Sequence, residues 1–212
     1  MTEAEEKRNL FDITANRMYS ALSAFYMWKG LSQAININTA GEEEAKKKVE
    51  IMNQYRYFFH QVLVSAYKSF VADLSIFFDR EGYKDTFSLG KLLKILEEEL
   101  TGDELNEITQ QVNQIKGKHG VTINFIRELR NADVAHQTLQ VQSRKVVYDD
   151  IEKLFSGVQE ILNLISYRYD RSRSLWSHVE RDVLHHLNWL FDNLERGEKV
   201  RLMEIDQKYK NL

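Results

Sequence analysis

Apolar residues recur along this chain at helical spacing. Leu10, Ile13, Met18, Leu22, Phe25 and Leu31 stand mostly three or four positions apart, which predicts one long amphipathic helix reaching about Ile35. A polar stretch, Asn36 to Gly41, ends it. A second helix opens at Glu42-Glu43-Glu44, with Lys46-Lys47-Lys48 four positions on, so acid lies at the positive helix end and pairs with base one turn later. That run reads as a solvated face. Val49, Met52, Phe59, Val62, Leu63, Ala66, Phe70, Leu74 and Phe77 carry the same stripe to about Asp79, a length typical of bundles.

Beyond Gly82, Thr86 or Ser88 can cap a short helix bearing Leu89, Leu92, Leu93, Ile95 and Leu96. Thr101-Gly102 closes it, and Asp103 starts another through Leu105, Ile108, Val112 and Ile115. The Lys116-Gly117-Lys118-His119-Gly120 segment is expected to be a loop in which glycine supplies left-handed geometry. From about Val121 a helix carrying Ile123, Ile126, Leu129 and Val134 leads to His136, and Val141 to Val147 reads as loop or short irregular structure. A helix restarts at Asp149 or Asp150 and runs through Ile151, Leu154, Val158, Ile161, Leu162 and Ile165. Ser172 to Leu212 carries Leu175, Val179, Val183, His186, Leu190 and Leu194 on one face and reads as a C-terminal appendage. No convincing period-two run is present, so the class is all-α.

Composition fits that class. Proline is absent from all 212 residues, which leaves long helices unobstructed. Cysteine is absent too, excluding disulfides, thiolate metal sites and a cysteine nucleophile. There is no apolar run long enough to span a membrane, and Met1 to Asn9 is too charged for the core of a signal peptide, so a cytoplasmic protein without membrane attachment is expected. With a formal net charge of −3, any contact with nucleic acid must be local. The most basic stretch sets Lys116, Lys118, Arg127, Arg130, Arg144 and Lys145 against Glu128 and Asp133, enough to hold a few phosphates.

Within that stretch Glu128-Leu129-Arg130-Asn131-Ala132-Asp133-Val134-Ala135-His136 offers a fixed cation, a titratable imidazole and two small polar groups near a helix end. Arg130-Asn131 followed by His136 resembles the motif of the HEPN superfamily, in which an arginine followed by a polar residue precedes a histidine by four to six positions. Tyr67 to Asp79 looks like the second helix of the abortive-infection, AbiU-type branch, and Thr86-Phe87-Ser88-Leu89 with Leu92-Leu93 adds to the likeness. It covers roughly Leu10 to Tyr167. The resemblance implies a HEPN-like antiparallel helical bundle over 1–168, with a C-terminal helical extension over 169–212. It further implies a homodimer whose two motifs form a metal-independent endoribonuclease cleft that uses no cofactor. A protein partner in a defence or toxin–antitoxin system goes with it. Some toxin members carry a tyrosine two positions after the histidine, used for control by a partner nucleotidyltransferase; here Thr138 stands there.

The residue chemistry suits that activity. An imidazole with an ordinary pKa of about 6.5 can take the proton of a ribose 2′-hydroxyl, and a guanidinium can fork to the phosphate as charge builds on it. Asn131 would position substrate, and Asp133, three positions from both Arg130 and His136, would orient one or hold the other. On a straight α-helix six steps give about 9 Å of rise and about 600° of rotation, which sets Arg130 and His136 about 120° apart and favours a site completed across a twofold axis. The bland alternative pairs Arg130 with Glu128 or Asp133 and makes His136 a cap on a helix C-terminus. In a noncatalytic version the fold is an RNA-binding or scaffold subunit.

Other groupings are weaker. His178, Asp182 and His185 share a helix face, but no fourth metal ligand is identifiable and Arg181 would repel a cation. Tyr167 to Arg173 mixes aromatic and basic groups, as single-strand binders do, although a solvated helix junction explains it. Trp28, Trp176 and Trp189 read as packing or interface anchors. No glycine-rich phosphate loop and no serine nucleophile signature is present.

Overall fold

The structure, a computed structural model, describes residues 3–79, 88–135, 147–170 and 176–210, the side chains of 3–7, 133–135, 168–170 and 209 excepted. Among the described residues there is no strand. The helices are α1 (Glu3–Ala34), α2 (Ile37–Ala40), α3 (Glu42–Gln54), α4 (Arg56–Ile76), α5 (Leu89–Leu96), α6 (Gly102–Lys118), α7 (Gly120–Leu129), α8 (Tyr148–Asp170) and α9 (Ser177–Lys210), and a π-helical turn, Arg130–Ala135, follows α7.

The chain forms two compact units, 1–24 with 67–177 and 25–66 with 178–212. In the first, α6 packs on α5, α7 and α8, and Ile108, Val112, Ile123, Ile126, Leu154 and Val158 are buried. Gly157 permits close approach there, because a Cβ at that position would come within 2.8 Å of Ile115 Cδ1. In the second unit Leu31, Ile51, Phe59, Leu187 and Phe191 form a core, with the Phe59 and Phe191 rings stacked at 5.5 Å.

Local chemistry accounts for several boundaries. Thr101 caps α6 in a capping box: its hydroxyl accepts from the Glu104 N–H at 3.4 Å, and the Glu104 carboxylate accepts from the Thr101 N–H at 3.0 Å. Ser88, not Thr86, caps α5, accepting from the Lys91 N–H at 3.3 Å; Thr86 itself lies outside the described residues. The acidic first turn of α3 is answered one turn later by Lys46 on Glu42 at 2.7 Å and Lys48 on Glu44 at 3.5 Å.

Three expectations change. The single helix expected from Glu42 to Asp79 is broken at Tyr55, where φ −108° and ψ 37° leave the helical region, with no glycine or proline to mark the place. The left-handed glycine expected between Lys116 and Gly120 is absent: α6 passes into α7 through His119, at φ −112° and ψ 18°, a bend any residue adopts, and Gly41 is the positive-φ glycine among the described residues. On α9 the buried face runs through Val179, Leu187 and Phe191 at four- and eight-residue spacing, while His186 is exposed and Leu190 half-buried. Trp176 is buried, but Trp189 is 59% exposed.

Candidate functional site

Helix α7 buries Ile123, Ile126 and Leu129, spaced three apart, and this fixes the direction in which Arg127 and Arg130 leave the helix. Both reach the C-terminal end of α4, where the last carbonyls of a helix lack partners and carry partial negative charge. Arg127 Nη2 donates to the Phe78 carbonyl. Arg130 Nη1 donates to both carboxylate oxygens of Asp79, at 2.9 and 2.7 Å, and to Ser75 Oγ at 3.2 Å. Ser75 spends its own hydroxyl proton on the Ala72 carbonyl at 2.7 Å, which orients its oxygen as an acceptor for the guanidinium. On the other side, Arg130 Nε donates to Asn131 Oδ1 at 3.4 Å, long enough to be weak.

Those bonds leave Nη2 of Arg130 with no hydrogen bond among the described residues. The carboxylate is therefore held from one terminal nitrogen and not by the side-on fork that arginine commonly offers. Burial differs between the partners: the Asp79 side chain is 9% exposed and that of Arg130 is 28% exposed. The cation meets solvent and the anion sits behind it. The α4 end is pinned further by the Leu89 N–H, which donates to the Phe77 carbonyl at 3.0 Å.

Immediately after this arginine the helix changes form. Residues Arg130–Ala135 make a π-helical turn, so the straight α-helix assumed from Arg130 to His136 does not exist and its rotation of about 120° does not apply. A π turn closes on the fifth residue back, so each step turns through less than an α-helical step. Such turns are frequent at functional sites.

The predicted site residues fall into three groups. Arg130, Asn131, Lys116 and Arg127 lie in described structure near one another: Lys116 and Arg127 line a cavity of about 500 Å³ together with Phe78, Asp79 and Asn124, and Asn131 is exposed beside Arg130. Lys118 is elsewhere, lining a second cavity of about 460 Å³ with His119, Asp149 and Lys153. There burial and the adjacent Lys118 charge hold the His119 imidazole below its ordinary pKa. His136, Thr138, Arg144, Lys145 and the side chain of Asp133 lie outside the described residues, as do those of the basic end of the Tyr167 to Arg173 stretch. The basic stretch thus does not gather its described cations on a single patch.

Two participants were not predicted, Asp79 and Ser75. Asp79 ends the Tyr67 to Asp79 segment that carries the family likeness, and an acid just past an amphipathic stretch was the available signal; its pairing with a residue 51 positions later was not. The bland reading had Arg130 bonded to Glu128 or Asp133, whereas its described partner is Asp79. Among the described residues no three histidine, aspartate or glutamate side chains are placed to hold a metal ion, so His178, Asp182 and His185 make no such cluster. No helix among the described residues is long and apolar enough to cross a membrane.

The family described as HEPN AbiU2 matches residues 2–189, which includes all of α1 from Glu3, the Arg130 site and the first part of α9. No curated protein and no solved structure matches the chain.

Proposed function

The chain belongs to the HEPN AbiU2 family, a family of abortive-infection defence domains, and from that premise we propose that it is a metal-independent endoribonuclease acting through Arg130 and His136. One observation supports the reading above the others: Arg130 is held by Asp79 and Ser75 through a single terminal nitrogen, its Nη2 makes no hydrogen bond among the described residues, and its partner Asp79 lines an open cavity. A cation held this way is preorganised for an incoming anion and pays no further ordering cost when the anion arrives.

In the proposed reaction His136 accepts the proton of a ribose 2′-hydroxyl. The 2′-oxygen attacks phosphorus, the bond from phosphorus to the 5′-oxygen breaks, and that oxygen leaves with a proton drawn from solvent or a second acid. The products are a 2′,3′-cyclic phosphate and a 5′-hydroxyl. Arg130 stabilises the charge on the phosphorane, and Asp79 is a positioning residue that acts through Arg130. Asn131, adjacent and exposed, is assigned to meeting substrate, and Asp133 to orienting His136. The homodimer and a defence or toxin partner come with the family likeness; the rotation argument for a twofold site no longer supports the dimer, because the π turn removes its premise.

A noncatalytic RNA-binding subunit is the second reading, and it too has an observation: Asp79 satisfies Arg130 without any substrate. Incubating the purified chain with total RNA in chelator, beside His136→Ala, separates the two. The enzyme reading expects fragments with cyclic phosphate ends from the wild type and none from the variant. Cleavage that needs added divalent metal, or that persists unchanged in His136→Ala, overturns it.

A further inference from the structure

The 500 Å³ cavity at the Arg130 corner does not stand alone. A second open cavity of about 350 Å³ adjoins it, because Gly90 and Lys116 line both. The first is walled by Asp79, Asn124 and Arg127, and the second by Lys94, Glu97, Thr109 and Asn113. Each volume is in the range that holds one small organic group, of about 300–1,000 Å³. Two such spaces in series, with an ammonium at their junction, match a chain of bulky groups joined by anions.

We infer that these adjoining cavities form a single-stranded RNA track leading away from Arg130, with Lys116 binding the phosphate that links the two nucleotides and Asn124 and Asn113 meeting base edges. The inference rests on the RNA reading of the Arg130 site. Hydrogen-bonding chemistry favours this occupant over an acidic peptide: the side-chain amides of Asn124 and Asn113 offer the paired donor and acceptor that base edges present, which a run of carboxylates, acceptors only, cannot match. Lys116 has no ion-pair partner among the described residues, and it is exposed, so its charge is available to a phosphate.

The walls also allow a substitution that spares the fold. Gly120 lines the first cavity, and a Cβ built on it meets nothing within 4 Å, so a large side chain there enters open space. Binding is read with single-stranded 2′-O-methyl oligoribonucleotides of about six nucleotides, which cannot be cleaved, by anisotropy and by amide shifts of the full chain. The wild type should bind with shifts at Asn113, Gly120 and Asn124. Gly120→Trp should weaken binding at least about tenfold, which is about 1.4 kcal/mol. Lys116→Gln should lower the slope of log K against log salt by about 0.7, as expected for one lost phosphate contact on a single strand. Asn124→Ala should change base preference and leave that slope alone.

Shifts confined to other faces, an unchanged slope in Lys116→Gln, or an acidic hexapeptide binding these walls as tightly as RNA overturns the track. If Gly120→Trp does not fold, the two exposed-site variants still decide. Oligonucleotide binding as described without cleavage of natural RNA keeps the track and removes the ribonuclease. Cleavage by the wild type with KM and cut-site preference unchanged in Gly120→Trp and Lys116→Gln does the reverse.

Discussion

The core of the second unit and the Arg130 corner of the first treat charge in opposite ways. Leu31, Ile51, Phe59, Leu187 and Phe191 form an apolar core, and the Lys46–Glu42 pair of that unit, each side chain about two-thirds exposed, lies in water, where such a pair contributes roughly 0–1 kcal/mol. At the Arg130 corner a carboxylate with 9% of its side chain exposed pairs with a guanidinium at a helix end, with a serine oriented to help. An apolar pair would fill that space at lower desolvation cost. Stability alone does not select such an arrangement, and the proposed function gives the first unit a reason to carry it.

The largest expected effect breaks the scaffold side. Phe191→Ala removes a ring that is 3% exposed and stacked on Phe59, and should destabilise the second unit by about 3–5 kcal/mol in denaturant unfolding while the cleavage rate per folded molecule stays at wild type. A cleavage rate that falls in proportion at low temperature, where the variant is folded, would show that the two regions are not separable in function.

Next is Arg130→Ala, which should lower the cleavage rate by about 10²–10³, or about 2.7–4 kcal/mol, as for loss of one donor to a developing oxyanion. Removing Arg130 strands the Asp79 carboxylate, so unfolding should also register a loss of about 1–3 kcal/mol. His136→Ala is expected to match the kinetic loss. Arg130→Ala with full activity would return the corner to a purely structural role.

Asp79→Asn sharpens the comparison further, because it keeps the shape and removes the charge. If Asp79 positions Arg130, kcat should fall about tenfold, about 1.4 kcal/mol, with KM for RNA nearly unchanged, and Asp79→Glu should recover part of it. A merely structural Asp79 would lower the melting temperature in Asp79→Asn and leave kcat of the folded enzyme where it was.

How far the sequence could lead differs between the same two regions. Helical periodicity is local, so α1, α6 and the π-turn residues as a motif were all visible in one reading of the chain, although Thr101, which caps α6 with Glu104, was read as the close of the helix before it. Three-residue spacing of Ile123, Ile126 and Leu129 gave the buried face of α7 as well. What stayed hidden was non-local or conformational. Asp79 meets Arg130 only because the fold brings the end of α4 to the end of α7, Lys116 and Lys118 part company because two steps on a helix turn through about 200°, and no residue type announces a π turn. The break at Tyr55 is hidden for the same reason: neither glycine nor proline is there.

The smallest expected effect is a difference of sign. Asp73, in the first unit, is raised above its ordinary pKa by burial, a shift that the Arg17 charge at 3.8 Å and a Ser69 hydrogen bond only partly offset. An acid with a raised folded-state pKa binds protons more tightly when folded, so through the window just above 3.8 its contribution to stability grows as pH falls. On α9 the signs reverse. Glu195 is lowered by its hydrogen bond from Lys199 and by that charge, and Glu198 by its hydrogen bond from Arg201, so each contributes stability that is present above 4.5 and lost as pH falls through the lowered pKa. Both glutamates are half-buried but their partners Lys199 and Arg201 are exposed, which keeps the effect small and sensitive to salt. Amide exchange of the native chain between about pH 3 and pH 5, with the intrinsic rate divided out, reads the two helices separately. Relative to Asp73→Asn, protection around Asp73 on α4 should rise as pH falls, and relative to a Lys199→Ala, Arg201→Ala double variant, protection around Glu195 to Arg201 on α9 should drop. Differences of the same sign at both places would mean that burial at Asp73 does not outweigh Arg17, and that the charge on α4 is as well accommodated as the charge on α9.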